Sequence, residues 1–216
     1  MSAPRIALIS AVPAAIAPAA EALRERFPAA VVWNLLDDRL LADADERGGP
    51  DGDLYARMER LVEYAVRGGA DGVLLTCSLY GAVARRAAVG VPVLAPDQAA
   101  FDELCARRFG RVLVVASFAG ARDDSAARLR QALRRSGSAT DVRGVAVPGA
   151  VGPRDVPGLV AALAEGCAEV MDGVGAVFLA QFSLAPAARG LAAALGVPVV
   201  SGPVSAADAL RSALGY

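Results

Sequence analysis

The sequence predicts an α/β protein built from two pseudo-symmetric, doubly wound parallel-sheet domains. Two observations predict it: short apolar runs alternate with helix-like stretches along the chain, and the second half repeats the first. The repeat is carried by three blocks in the same order. Arg5-Ile6-Ala7-Leu8-Ile9 returns as Arg111-Val112-Leu113-Val114-Val115, and Gly90-Val91-Pro92-Val93 as Gly196-Val197-Pro198-Val199, each 106 positions on. Val73-Leu74-Leu75-Thr76-Cys77-Ser78-Leu79 returns as Val177-Phe178-Leu179-Ala180-Gln181-Phe182-Ser183-Leu184, 104 positions on. The one chemical change is a thiol at Cys77 against a neutral amide at Gln181.

The expected strands are, in order, Ile6 to Ile9, Val31 to Leu36, Val73 to Leu75, Val91 to Leu94, Val112 to Val115, Val142 to Val147, Ala176 to Leu179 and Val197 to Val200. Apart from Asn34 and Arg143 they are apolar instead of alternating, which suits strands covered on both faces. Helices are expected over Ala14 to Phe27, Leu54 to Arg67, Gly81 to Ala88, Phe101 to Arg108, Ser125 to Ser136 and Val156 to Met171, with a terminal helix from Ser205. The last strand and helix echo Val91 to Leu104, so the end of the chain is expected to return to the first domain. Residues 1–97 with 201–216 then form the lobe carrying Cys77, and residues 98–200 the lobe carrying Gln181. Asp43 to Asp53, rich in Asp, Gly and Pro, reads as a long mobile loop.

Composition narrows the chemistry. At 216 residues and 55% hydrophobic, the chain can bury a full core, and its net charge of −1 offers no basic stripe for nucleic acid and no polybasic arm for a membrane. A small-molecule partner is expected. All 22 basic residues are Arg, so there is no Lys for a Schiff base. There is no His either, which removes Ser-His and Cys-His pairs, His metal ligands and the ordinary neutral-pH proton shuttle. Cys77, Cys105 and Cys167 are too widely spaced for a disulfide framework or a metal cluster, and point to a reducing cytoplasm. The apolar run from Ile6 to Ile9 is too short for a signal-peptide core or a membrane span. No glycine-rich loop follows a strand as a nucleotide phosphate would require, so no cofactor is expected.

In open parallel sheets ligands bind beyond the C-terminal strand ends. The positions there are Ser10, Asp37, Cys77, Pro96, Ser117, Gln181, Ser183 and Ser201. With the halves facing each other they would line one cleft rich in hydroxyls and backbone N–H groups, suited to a carboxylate. Cys77 ends a strand and precedes a helix, a setting that favours thiolate over thiol and makes it a base or nucleophile. The competing reading is an inert, buried cysteine. Cys105 and Cys167 have core spacing. The serines also suit caps and turns, and recurrence at strand ends is what makes them ligand candidates. Asp37-Asp38 could bind a cation or a substrate amine, but a loop carboxylate pair is usually just solvated. Tyr80 either covers the pocket or packs behind it, and is counted with the substrate-contacting residues.

At Thr76-Cys77-Ser78 and Leu179-Ala180-Gln181-Phe182-Ser183-Leu184-Ala185 the chain resembles the aspartate/glutamate/hydantoin racemase superfamily, which includes maleate isomerase and arylmalonate decarboxylase. The resemblance extends over Ile6 to Ser10, Leu36-Asp37-Asp38, Gly69 to Gly72, Val91-Pro92-Val93, Val114 to Phe118 and Val197 to Ser201. It implies a cofactor-free active site between two similar domains. Racemases of this type use two opposed cysteines; Cys77 matches the first, and Gln181 stands where the second would be. An amide has no usable proton at neutral pH, so Gln181 can orient a substrate but not act as acid or base.

The expectation is a cofactor-independent isomerase of the racemase type acting on a small carboxylic acid through Cys77. Ser10, Ser78, Ser117, Gln181, Ser183 and Ser201 would hold carboxylate or enolate oxygens. The alternatives are a cofactor-free decarboxylase using the same thiol as proton donor, or a catalytically decayed small-acid binding protein. Racemases of this type commonly pair, so a homodimer is also consistent with the resemblance.

Overall fold

Every apolar run read as a strand overlaps a strand of the computed structural model, which describes residues 3–151 and 155–216, but Val91 to Leu94 is a strand only at Val93–Leu94, Val197 to Val200 only from Val199, and Val147 lies just past its strand. The chain divides into two compact units, Met1–Ala99 with Pro203–Tyr216, and Ala100–Gly202.

The first unit runs β1 (Arg5–Ser10), α1 (Ile16–Arg26), β2 (Val31–Leu36), α2 (Arg39–Glu46), α3 (Gly52–Arg67), β3 (Gly72–Leu75), α4 (Gly81–Arg86) and β4 (Val93–Leu94). The second runs α5 (Gln98–Arg107), β5 (Arg111–Ala116), α6 (Ala119–Arg135), β6 (Asp141–Ala146), α7 (Val156–Cys167), β7 (Ala176–Leu179), α8 (Ala188–Leu195) and β8 (Val199–Ser201). The last helix, α9 (Gly202–Ala213), begins at the end of the second unit and continues into the first. The chain leaves the first unit within the first turn of α5.

Each unit holds a four-stranded, all-parallel sheet, in the orders β2-β1-β3-β4 and β6-β5-β7-β8. This is an α/β architecture in which crossover helices cover the sheet faces. The repeat persists in the backbone hydrogen bonds. Thr76 N donates to Ile9 O at 3.0 Å and Ala180 N to Val115 O at 2.9 Å; Val73 N donates to Pro92 O and Val177 N to Pro198 O, both at 2.9 Å. The repeated blocks therefore share register as well as strand order.

Strand side chains split the core by alternation. In the first unit Ala7 and Ile9 join Leu40, Leu54, Met58 and Val62 on one face of the sheet. On the second sheet Val112 and Val114 pack with Leu129 and Phe178, and Leu113 and Val115 with Leu163, Leu179 and Leu191. Central strands β3 and β7 are buried at every residue.

Three expectations need correction. The edge strands β2 and β6 are apolar in part yet substantially exposed, because a sheet of four strands leaves two of them with one neighbour only. Asp43 to Asp53 is not a long loop: Asp43–Glu46 belong to α2, and α3 starts at Gly52. Leu40 and Ala44, spaced by four, are buried on the core face of α2, while Asp43 bridges Arg39 and Arg57 at 2.7 and 2.9 Å. Asp51 caps α3 by accepting from Leu54 N at 3.0 Å. The helix after Cys77 is also shorter than expected, a 3₁₀ turn over Ser78–Tyr80 followed by α4, which ends at Arg86.

Candidate functional site

The residues singled out in the sequence gather at the C-terminal rims of the two sheets. In each sheet the strand order reverses at the first strand, so the helices following the two central strands leave on opposite faces and open a crevice at their ends. In the first unit those strands are β1 and β3, which end at Ser10 and just before Thr76-Cys77. In the second they are β5 and β7, which end just before Ser117 and Gln181.

Ser10 and Thr76 are neighbours across β1 and β3, and Thr76 Oγ1 donates to Ser10 Oγ at 2.9 Å. Ser10 is fully buried and Thr76 nearly so. Cys77 comes next, with extended backbone (φ −112°, ψ 119°), and its carbonyl accepts from Tyr80 N at 3.3 Å to close the 3₁₀ turn. Its thiol is half-buried beside the core cluster. Ser78 is half-buried as well.

Tyr80 is turned into the core. It is completely buried, its hydroxyl donates to Leu40 O at 2.8 Å, and its ring meets Tyr55 edge-on at 6.0 Å. Burial pushes the Tyr80 hydroxyl up to about 12, and the nearby Cys77 adds in the same direction. Tyr80 is a packing residue under the Cys77 turn and not the substrate-contacting residue expected at that position. Asp37 is not simply solvated either: both its oxygens meet the Arg57 guanidinium at 2.6 Å. Arg57 thereby ties the end of β2 to α2 and α3.

On the other rim, Gln181 Oε1 accepts from Ser117 N at 2.7 Å and from Ser117 Oγ at 3.0 Å. A backbone N–H can only donate, so the atom facing it is the amide oxygen, and the NH₂ group is turned the other way. Two donors on one carbonyl fix the side chain and polarise the amide, which makes its N–H groups better donors. Ser117 is nearly buried, Gln181 half-buried, and Phe118 beside them is 55% exposed. Ser183 is exposed in the 3₁₀ stretch Phe182–Ala187, and Ser201 is buried at the end of β8. Cys167 is walled into the second core, where burial raises its thiol to about 11, and Cys105 packs half-buried against the α5 and β5 cluster.

Sequence reasoning passed over Asp97. It follows Pro96 beyond β4 and is largely buried on the same rim as Cys77. The signal was available: a carboxylate directly after a strand that had already been placed at the rim.

The fold is that of several solved structures. Glutamate racemase from Bacillus anthracis superposes with a TM-score of 0.72 at 14% identity, covering 98% of this chain and 82% of that one. The chain has the racemase fold. Allantoin racemase from Klebsiella pneumoniae matches at a TM-score of 0.69 and 20% identity, with 97% and 86% covered. Unliganded arylmalonate decarboxylase matches at 0.62 and 19%, with 98% and 93% covered. The racemase fold thus accommodates both isomerising and decarboxylating relatives of this chain's architecture. No family model and no curated protein matches the sequence.

Proposed function

We propose that the chain is a cofactor-independent isomerase of the aspartate/glutamate racemase type, acting on a small carboxylic acid with Cys77 as its reactive group. The observation that carries the reading is the half-buried Cys77 thiol at the β1/β3 strand-order reversal, next to the Ser10–Thr76 hydroxyl pair.

In this reading the Cys77 thiolate either removes the proton α to the carboxylate, a solvent water returning one to the opposite face, or adds to a conjugated double bond. Both routes push an electron pair onto the carboxylate, giving an enediolate. In the addition route a C–S bond forms, the carbon–carbon bond becomes single and rotates, and the returning electron pair expels the thiolate. The outward NH₂ of Gln181, with Ser78 and Ser183, is assigned to the developing negative oxygens. Ser10, Ser117 and Ser201, more deeply placed, hold these groups in position.

A decarboxylating lyase is the second reading, favoured by Gln181. An amide cannot return a proton, so Cys77 would be the sole donor, as protonation after loss of carbon dioxide requires. Proton NMR in deuterium oxide, with a panel of amino acids, maleate and substituted malonates, separates the readings. Geometric isomerisation, or α-deuterium incorporation without carbon dioxide release, supports the isomerase; carbon dioxide release supports the lyase. Silence across the panel together with tight dicarboxylate binding supports a non-catalytic binding protein and removes both.

A further inference from the structure

The repeat changes chemistry at a second rim position besides Cys77 and Gln181. Val91-Pro92-Val93-Leu94-Ala95-Pro96-Asp97 returns as Val197-Pro198-Val199-Val200-Ser201-Gly202-Pro203, so a carboxyl stands in the half that carries the thiol and a proline in the half that carries the amide. Asp97 is 8% exposed, and its Oδ2 is closed off from solvent. Burying an ionised carboxyl is costly, so one kept at the rim calls for a role.

Strand register sets Asp97 against Cys77. Val73 and Leu74 of β3 pair with Val93 and Leu94 of β4, a constant offset of twenty positions. On the other side of β3 the register outlasts the paired residues: Ile9 faces Leu75, and the next two, Ser10 and Thr76, are joined at 2.9 Å. Carried past β4, the offset of twenty places Pro96 beside Thr76 and Asp97 beside Cys77, on strands that run about 4.8 Å apart. The two segments stay packed there. A Cβ on Gly81, in the helix after Cys77, would come 3.5 Å from Ala95 Cβ and 4.0 Å from Pro96 Cδ, and Cys77 lies on the cluster that contains Ala95. Of the other charges round this turn, Asp37 and Arg57 hold each other at 2.6 Å, and Arg86 lies over the Tyr55 ring and 3.7 Å from Glu59. Arg85 is exposed beside Gly81, and the Tyr80 hydroxyl donates to Leu40 O.

We propose that Asp97 is the base that receives the Cys77 proton, so that the cysteine rests as a thiol and becomes a thiolate only as it reacts. The inference rests on Cys77 being the reactive group. The chain has no His or Lys to take that proton. A 3₁₀ turn and the six residues of α4 give a resting thiolate little support, and an ionised carboxyl beside the thiol disfavours a second negative charge. As the reaction begins, the S–H bond breaks and its proton passes to the Asp97 carboxylate, while the electron pair left on sulfur takes the α-proton or forms the C–S bond. Where the thiolate is expelled again, Asp97 returns the proton to it. Where sulfur keeps the α-proton, Asp97 passes its own to solvent, balancing the one that water delivers to carbon.

Asp97 directly precedes α5, where Asp, Asn and Ser cap almost equally well, so Asp97→Asn and Asp97→Ser each keep a cap and remove the base. Iodoacetamide alkylation of the full chain, read at Cys77 by peptide mass spectrometry across the pH range, tests the pairing without a known substrate. In either folded variant the rise of the Cys77 rate with pH moves to lower pH by about one unit or more, because the like charge is gone. On an acid that the wild-type chain turns over, the same variants lower kcat/KM at neutral pH about 10²-fold even though their thiol ionises more readily, and Asp97→Glu recovers part of the loss. A Cys77 alkylation profile that both folded variants leave unchanged overturns the proposal, and so does wild-type turnover by either of them. If the chain turns over no acid, the isomerase reading fails and the alkylation profile alone decides the pairing.

Discussion

Tyr80 and Cys77 sit three positions apart at the end of the same strand and meet opposite environments. The tyrosine hydroxyl is spent on Leu40 O and pushed up to about 12 by burial, so it holds its proton throughout the neutral range. Tyr80→Phe should destabilise the fold by about 1–2 kcal/mol in urea titrations, the cost of leaving a buried carbonyl without its donor. Its kcat/KM should remain close to wild type. Ser117→Ala tests the other rim: it removes one of the two donors that fix Gln181, and kcat/KM should fall roughly 10-fold with little change in melting temperature. Ser117→Thr, which keeps the hydroxyl, should recover most of it. The positions of Ser10, Cys77, Ser117 and Gln181 were legible in the sequence because strand ends are legible. Their bonding was not, because Ser10 meets Thr76 while Ser117 meets Gln181, one residue further along, and only strand register decides such partners.

At the scale of elements, the clearest failure of sequence reading was α2. Its Asp and Glu residues and the Gly-Gly-Pro that follows look like loop, yet Arg39, Asp43 and Arg57 neutralise one another above a buried Leu40–Ala44 stripe. Arg57 lies on the neighbouring helix α3, outside any local window. Asp43 shows the balance: burial alone would raise its carboxyl, but Arg39 and Arg57 together hold it below the usual range. Asp51 is also held low, first by the Leu54 N–H and then by Arg47. A carboxylate with a lowered folded-state pKa contributes stability above its unfolded pKa and loses it as pH falls through the folded value. Asp51→Ala should therefore lower the stability near neutral pH. The difference from wild type should shrink in acid, where the cap is protonated, as equilibrium unfolding at several pH values would record.

Over the whole molecule, the repeat made the α/β class and the eight strands readable, because blocks that recur in order must recur in register. The edge strands and the short ends of β4 and β8 were less readable, since an apolar run does not reveal how many neighbours its strand will have. The terminal helix completes the first unit: Leu210 is fully buried, and a Cβ on Gly72 would come within 3.1 Å of its Cδ2. Leu210→Ala should cost about 2–5 kcal/mol and lower the melting temperature of that unit. Two buried acids set the alkaline limit. Tyr80 and Cys167, raised to about 12 and about 11, favour the folded state below their unfolded pKa values of 10.0 and 9.0 and lose that contribution as pH rises through the raised ones. Thermal stability should fall between pH 9 and 12, and a Cys167→Ala chain should show a narrower version of that fall.

The account rests on the Cys77 thiol. Its most direct test is substrate turnover followed by proton NMR in deuterium oxide, comparing the wild-type chain with Cys77→Ser on whichever acid the panel identifies. The account predicts that the variant folds normally and loses turnover by about 10³-fold or more. A folded Cys77→Ser chain that turns over the same acid at the wild-type rate would contradict it.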